Sequence, residues 1–258
     1  MAPLERAVSA SLLETRGLAK RFGALEVARG IDFRLEAGAR HALIGPNGAG
    51  KTTFVNLLTG VLAPSAGRVL LDGEDVTRLA QAKRVKRGIA RTFQITQLFR
   101  GLSVLENVGL AVAERLGAGG DMVRPAGRRA DVIAEASRLI ELLHLGAHAG
   151  RRIDELPYGR QRLVEIAIAL GLEPRLLLLD EPAAGIPSAE SHIVLEAIAA
   201  LPPGIAVLII EHDMDLVFRF AERITVMVGG AIFAEGTRAE IAANRDVRAV
   251  YLGSALDG

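Results

Sequence analysis

Short apolar runs alternate along the chain with longer segments in which apolar residues recur at helical spacing. Four runs have the length of a strand, at residues 41–44, 68–71, 176–179 and 205–210. The last two are apolar at every position, which is typical of parallel strands that are covered on both faces. The alternation of such runs with helical segments predicts an α/β fold with a mainly parallel sheet.

The pattern changes in the middle of the chain. Segments 104–116 and 130–145 have the apolar spacing of amphipathic helices, and a connection rich in Gly, Pro and Arg joins them. A further helix is expected at 161–172. We therefore predict a helical subdomain, approximately residues 98–172, that is inserted into the α/β core.

Composition excludes several classes of protein. Half of the 258 residues are hydrophobic, too many for a disordered chain, and no stretch reaches the roughly eighteen uncharged apolar residues of a membrane-spanning helix. The absence of cysteine excludes a disulfide framework and a thiolate metal site. A net charge of +1 provides no broad positive field for nucleic acid. We expect a soluble, cytosolic protein.

Residues 45–52 read Gly-Pro-Asn-Gly-Ala-Gly-Lys-Thr and fit the phosphate-binding pattern G-x-x-x-x-G-K-[ST]. This phosphate-binding loop follows a predicted strand and opens a predicted helix, so backbone N–H groups and the helix dipole favour phosphate. Lys51, one of only four lysines, is expected to reach the β- and γ-phosphates, and the Thr52 hydroxyl to ligate Mg²⁺. The candidate nucleotide contacts here are Gly45, Pro46, Asn47, Gly48, Ala49, Gly50, Lys51, Thr52 and Thr53.

Two carboxylates follow the apolar run at 176–179. Open α/β sheets bind ligands at the carboxyl ends of their strands. Asp180 is expected to hold Mg²⁺ through water, and Glu181 to orient and deprotonate the attacking water. The alternative is an acidic turn that caps the next helix, an interpretation that the phosphate-binding loop makes less favoured.

Gln94 and His212 are weaker candidates, because each follows a predicted strand without a motif of its own. The Gln94 amide is expected to ligate Mg²⁺ or a water, or else to belong to an ordinary turn. A neutral His212 is expected to contact the γ-phosphate and fix the catalytic water. A residue that starts a helix is the alternative for His212.

Together these elements resemble the nucleotide-binding subunit of an ABC transporter, as a single domain over residues 11–252. The resemblance adds Phe22, where that family places an aromatic that stacks on adenine, and a signature segment at residues 156–162, Leu-Pro-Tyr-Gly-Arg-Gln-Arg. It implies a P-loop NTPase core with an N-terminal antiparallel β region and the inserted helical subdomain. The subgroup that the chain resembles most is the ATPase of branched-chain amino acid importers. Four segments carry this resemblance: Ala-Arg-Thr-Phe-Gln at 90–94, Asp-Glu-Pro-Ala-Ala-Gly at 180–185, Ile-Glu-His-Asp-Met at 210–214 and Tyr-Leu-Gly at 251–253.

The resemblance implies ATP and Mg²⁺ as cofactors and assigns a role to each candidate. The implied catalytic residues are Lys51, Gln94, Glu181 and His212, and the implied metal ligands are Thr52, Gln94 and Asp180. In this family each ATP lies between the phosphate-binding loop of one subunit and the signature segment of another. The signature residues expected to contact the partner's ATP are Pro157, Tyr158, Gly159 and Arg160.

The resemblance also implies partners and a location. A homologous ATPase subunit is expected, as a heterodimer rather than a homodimer, together with transmembrane permease subunits and, indirectly, an extracytoplasmic substrate-binding protein. No nucleic acid is expected. The helical subdomain and the exposed segment 95–100 are expected to receive a permease loop. The protein is expected in the cytoplasm, peripheral on the inner face of the cell membrane.

Two positions depart from the family pattern. The usual signature has a serine where this chain has Pro157, which supplies neither a hydroxyl nor an N–H. Pro187 stands where the subgroup usually has an asparagine, so the communication between two ATP sites is put in doubt.

Other functions stay open at this point. The transported substrate is a branched-chain amino acid by the resemblance, with urea, short amides or aromatic acids as alternatives. An ABC ATPase that acts on nucleic acid or ribosomes is disfavoured because no long basic or coiled-coil insertion is present. A phosphotransferase or GTPase is disfavoured because the chain lacks an Asn-Lys-x-Asp motif.

Overall fold

Ten strands form two sheets in the part of the chain that the structure describes, which in this computed structural model is residues 11–92, 98–117, 129–186 and 188–254. The strands are β1 Ser11–Phe22, β2 Leu25–Glu36, β3 Arg40–Ile44, β4 Ala66–Leu71, β5 Glu74–Asp75, β6 Ile89–Arg91, β7 Leu176–Asp180, β8 Ala206–Ile210, β9 Arg223–Val228 and β10 Ala231–Thr237. The helices are α1 Lys51–Thr59, α2 Gln81–Val85, α3 Val104–Arg115, α4 Ala130–Leu142, α5 Tyr158–Gly171, α6 Ser188–Ala199, α7 Met214–Phe220, α8 Arg238–Ala243 and α9 Arg245–Ser254.

The six-stranded sheet has the order β10-β9-β3-β8-β7-β6, and its pairs are parallel except for the β9–β10 hairpin. Side chains alternate between its two faces, so Leu176 and Leu178 pack in one buried cluster while Leu177 and Leu179 pack in the other. All four are fully buried. Strands buried on both faces explain why the apolar runs are uninterrupted, and the predicted α/β fold is confirmed.

The four-stranded sheet has the order β2-β1-β4-β5 and is antiparallel. Its inner face packs against α1 and one face of the large sheet through residues such as Leu18, Phe33 and Val69. A backbone hydrogen bond of 2.8 Å from Arg29 N to Gly230 O joins β2 to the β9–β10 turn. This is the expected N-terminal antiparallel region, and its strand β2 lies beside the phosphate-binding loop, where Val27 O crowds Gly50.

Helices α3, α4 and α5 pack together between β6 and β7 in the chain. α3 begins at a capping box in which Ser103 accepts from Glu106 N and the Glu106 carboxylate accepts from Ser103 N. The predicted helix 130–145 is too long, because His144 takes a φ of 55° and Leu145 N–H turns back to the Ile140 carbonyl at 2.9 Å. The bond closes the C-terminus of α4 three residues early.

The predicted helix 161–172 begins three residues early, at Tyr158. Pro157 occupies the N-cap with φ −55° and ψ 151°, so its ring lies where no helical N–H is lost. The carbonyl of Pro157 accepts from Arg160 N at 3.0 Å and Gln161 N at 3.1 Å. The signature residues Tyr158, Gly159 and Arg160 therefore form the first turn of α5.

A buried histidine links β3 to the β9–β10 hairpin. His41 Nε2 lies 2.8 Å from Thr225 Oγ1, and the Thr225 hydroxyl donates to Glu235 Oε2 at 3.3 Å. The His41 ring also meets Phe33 edge-on, with ring centroids 5.2 Å apart. Burial lowers the pKa of His41 to about 4. The histidine is therefore neutral in the folded protein at neutral pH.

We predict that His41 makes folding stability depend on pH between about 6.5 and 4. In the unfolded chain His41 gains its proton near its ordinary pKa of 6.5, whereas the folded protein gains it only near 4. Stability is therefore fully present above pH 6.5 and lost as the pH falls toward 4, by about 2 kcal/mol at pH 5. Urea unfolding at pH 7 and pH 5 measures this loss.

The variant His41→Gln should lose less stability between the two pH values than the wild type. His192→Gln is the matched control, because His192 is exposed and should leave the pH dependence unchanged. An equal loss in wild type and His41→Gln would exclude His41 as the cause.

Candidate nucleotide site

The phosphate-binding loop joins the end of β3 to the start of α1. Gly50 is the N-cap of α1 with a φ of 95°, a conformation that strains other residues. A Cβ on Gly50 would lie 2.8 Å from Val27 O, and one on Gly45 would lie 2.3 Å from Met227 O. Backbone crowding from β2 and β9 therefore requires glycine at both positions and fixes the loop tightly.

Lys51 is the first residue of α1, and its side chain folds back over the loop. Its Nζ donates to Gly45 O at 2.5 Å and to Pro46 O at 3.0 Å. Burial lowers the pKa of Lys51, while the charges of Glu181 and Asp180 act in the opposite direction. The structure thus brings the predicted lysine and both predicted carboxylates into one electrostatic site.

Asp180 ends β7 and is 2% exposed. Its Oδ2 accepts from Arg91 Nη2 at 2.5 Å, and Arg91 Nη1 donates to Asn56 Oδ1 at 2.6 Å. Neither Arg91 nor Asn56 is among the site residues that the sequence predicted. An arginine at the end of a short apolar strand was the available signal, because a charge there needs a buried partner.

Glu181 leaves the strand with a φ of 44°, and its N–H donates to Ile210 O at 2.9 Å. Its side chain is 36% exposed, and Oε1 lies 3.7 Å from Nδ1 of the exposed His212. The carboxylate and the imidazole therefore face one another at the ends of β7 and β8. Such a pair can position a water between two strand ends.

Glu211 is a third residue that the sequence did not place among the candidate site residues. It is buried beside His212, and burial raises the pKa of its carboxyl group. Its Oε2 accepts from His212 N at 3.2 Å. This bond and backbone hydrogen bonds from Ala183 and Asp213 lower the pKa of Glu211 and so oppose the effect of burial. The side chain thus links the turn after β7 to the loop after β8.

The signature residues border a separate cavity of about 290 Å³. It is lined by His148, Arg151, Pro157, Gly159, Arg160 and Ile193. Arg160 Nη1 also donates to His144 O at 3.2 Å. The geometry of a helix start leaves the amides of Tyr158 and Gly159 without intrahelical acceptors. Cationic side chains and a helix N-terminus make this cavity suited to an anion.

Of the remaining predicted positions, Phe22 lies within the part of the chain that the structure describes. Phe22 ends β1 and is 48% exposed, with Lys20 Nζ 5.1 Å from the centre of its ring. Gln94 and Pro187 lie outside the described residues. Residues 95–97 of the expected exposed segment 95–100 also lie outside the described residues. The expectation is wrong at Leu98, which is buried in the core with helices α3, α4 and α5, whereas Phe99 is exposed.

Among the described residues, no group of three or more His, Asp or Glu side chains has the arrangement of a metal site. No helix in the described ranges has both the length and the apolar composition needed to cross a membrane.

Solved structures define the class of the fold. The chain matches the ADP conformation of an ATP-binding cassette of an ABC transporter with a TM-score of 0.83 and 31% identity, covering 94% of this chain and 99% of that one. A nucleotide-free ATP-binding cassette from an ABC transporter matches with a TM-score of 0.82 and 30% identity, covering 93% and 98%. The fold and the phosphate-binding loop are therefore those of an ATP-binding cassette.

Known sequences narrow the class. A family model described as ABC transporter matches residues 28–184, and one described as branched-chain amino acid ATP-binding cassette transporter matches residues 231–257. The chain is 39% identical over 255 residues to BraF of Pseudomonas aeruginosa and to LivG of Escherichia coli, covering 96% of this chain and 100% of each relative. Both relatives are named high-affinity branched-chain amino acid transport ATP-binding proteins. The chain belongs to the ABC transporter family as an ATP-binding subunit, and it is an ATP hydrolase.

Proposed function

We propose that this chain hydrolyses Mg-ATP at the edge formed by Lys51, Asp180, Glu181 and His212, and thereby drives an importer of branched-chain amino acids. One observation carries the proposal. The register of the parallel strands pairs both Leu43 and Asp180 with Ile210, so the loop that carries Lys51 and the two strand-end carboxylates leave the sheet at one edge. A cation and two acidic groups at one sheet edge are what phosphoryl transfer to water needs.

The described residues divide the chemistry among them. Loop amides and Lys51 bind the β- and γ-phosphates, and Lys51 exchanges the Gly45 and Pro46 carbonyls for phosphate oxygens. Glu181 accepts the proton of the attacking water, and His212 holds that water and the γ-phosphate in position. Phe22, exposed at the end of β1, stacks on the adenine.

Mg²⁺ fits the oxygen donors that these elements supply. The Thr52 hydroxyl, in the first turn of α1, and the Asp180 carboxylate are hard oxygen ligands, and the sequence adds the Gln94 amide. When bound, Mg²⁺ neutralises charge on the β- and γ-phosphates. The chain contributes the orientation of these donors and the exclusion of solvent around Asp180.

The cavity beside the signature segment supports a second ATPase subunit as partner. Its cationic lining includes none of the loop residues 45–52, so the chain offers one half of a site at each of two places. We propose that Pro157, Tyr158, Gly159 and Arg160 complete the partner's site. A sister subunit with a serine in its signature would supply the hydroxyl that Pro157 lacks, which favours a heterodimer.

The remaining partners follow from the subunit type. We propose that the helical region, approximately residues 98–172, docks onto transmembrane permease subunits at the cytoplasmic face of the membrane. A substrate-binding protein outside the cytoplasm would act on the permease and not on this chain. Branched-chain amino acids are favoured because both relatives are named branched-chain amino acid transport ATP-binding proteins. Urea, short amides and aromatic acids are the alternatives, which uptake by the assembled transporter would distinguish.

We predict that Lys51→Ala abolishes tight binding of Mg-ATP, because no other lysine lies in the phosphate-binding loop to neutralise the phosphates. Isothermal titration calorimetry with Mg-ATP measures the effect. Lys83→Ala, an exposed lysine on α2, is the matched control and should bind as the wild type does. Near-native affinity of the Lys51 variant would remove Lys51 from the site.

We predict that Glu181→Gln keeps ATP binding but lowers turnover by roughly 10²–10⁴, the range for loss of a general base. The variant should also accumulate an ATP-bound dimer, visible by size-exclusion chromatography. Glu36→Gln changes an exposed carboxylate at the end of β2 and should leave turnover unchanged. Full turnover of the Glu181 variant would show that this carboxylate only shapes the turn.

We predict that Pro157→Ser raises the hydrolysis rate of the isolated chain several-fold. A serine tolerates the extended N-cap backbone of Pro157 and adds one hydroxyl toward the anion cavity, worth about 1 kcal/mol. A steady-state ATPase assay at high protein concentration measures it. Pro157→Ala has no hydroxyl and should show no gain. Equal rates in all three proteins would mean that this edge does not limit hydrolysis.

A further inference from the structure

One guanidinium joins three elements beneath the nucleotide site. Arg91 ends β6, its Nη2 donates to Asp180 Oδ2 on β7 at 2.5 Å, and its Nη1 donates to Asn56 Oδ1 on α1 at 2.6 Å. The Arg91 side chain is 10% exposed and that of Asp180 is 2% exposed. Charge-assisted hydrogen bonds of this length in a dry environment hold both partners in one orientation.

The two hydrogen bonds fix the position of the Arg91 guanidinium, and this position is unfavourable for its Nε–H group. Arg91 Nε is buried and meets no acceptor among the described residues. A buried donor without an acceptor is unfavourable, so packing alone does not explain this orientation. The fork geometry of arginine does explain it, because its two terminal nitrogens are held apart in one plane and each reaches a different oxygen.

The second bond, from Arg91 Nη1 to Asn56 Oδ1, ties the guanidinium to α1, the helix that carries the proposed metal ligand Thr52. Asn56 lies four residues after Thr52, and residues at this spacing share one face of a helix. Arg91 therefore ties the carboxylate to the same helix face that carries the Thr52 hydroxyl. One side chain outside the phosphate-binding loop thus bonds directly to one proposed Mg²⁺ donor, Asp180, and to the helix that carries the other, Thr52.

We propose that Arg91 is a positioning residue for Mg²⁺: it orients Asp180 relative to Thr52 so that Mg-ATP binds more tightly than metal-free ATP. The inference rests on the proposed function, because Asp180 serves a metal only if the chain binds Mg-ATP. Groups that orient a metal ligand from behind typically change metal affinity by 10–100-fold when they are removed.

Arg84 provides a matched control among the buried arginines. It is fully buried, and its guanidinium donates to the carbonyls of Leu57, Leu58, Thr77 and Leu79, with no predicted site residue among its partners. Arg84→Met removes a buried charge of the same kind. It should lower the unfolding temperature without changing how Mg²⁺ affects nucleotide binding.

The experiment compares two dissociation constants for the non-hydrolysable analogue AMP-PNP, one in EDTA and one in saturating Mg²⁺, by titration calorimetry on the full chain. In the wild type the ratio of the first to the second exceeds one. In Arg91→Met the ratio should fall by about tenfold, while the constant in EDTA stays within about twofold. Arg84→Met should keep the wild-type ratio.

Two gentler variants keep the test valid if Arg91→Met does not fold. Arg91→Lys retains the charge without the forked geometry, and Asn56→Ala removes only the second anchor. Both should lower the ratio several-fold. An unchanged ratio in the folded Arg91 variants, or a wild-type ratio of one, would overturn the role of Arg91 while leaving nucleotide binding in place. A wild type that binds no AMP-PNP would instead overturn the proposed function.

Discussion

Strands β3, β8 and β7 run parallel and adjacent, so their carboxyl ends meet at one edge of the large sheet. The register places Leu43 beside Ile210 and Ile210 beside Asp180, which aligns the ends of the three strands. The phosphate-binding loop, the Asp180–Glu181 pair and His212 therefore leave the sheet side by side although they are far apart in sequence. Without this parallel pairing, none of these groups would share a site.

Charged side chains at that edge of the sheet have hydrogen-bond partners within the chain. Lys51 satisfies its ammonium group on two loop carbonyls, and Asp180 is paired with Arg91 in a nearly dry environment. Burying a carboxylate without such a partner would be strongly unfavourable. The Lys51 and Asp180 side chains that are bonded within the chain at this edge are therefore the same ones that are proposed to meet phosphate and metal.

The signature segment shows how one substitution leaves a fold intact and changes a site. Pro157 suits the N-cap of α5, since its fixed φ is compatible with the helix entry and no helical N–H is lost. The N-terminus of α5, the amides of its first turn and the cationic cavity beside it are all present without the serine of the usual signature. What is missing is one hydroxyl, so the expected consequence is a weaker partner site rather than a lost one.

The sequence by itself determined the α/β fold, the phosphate-binding loop and the residues that follow each strand, because strand runs, glycines and a single well-placed lysine are local signals. It misjudged the ends of two helices, where His144 at positive φ and the Pro157 cap decide. Only the tertiary structure revealed Arg91, Asn56 and Glu211. The role of Arg91 depends on hydrogen-bond partners that lie 35 and 89 residues away in the sequence. The role of Glu211 depends on its burial in the folded chain. A contact between distant strands leaves no periodic trace in a single sequence, whereas burial and charge pairing appear once the sheet has formed.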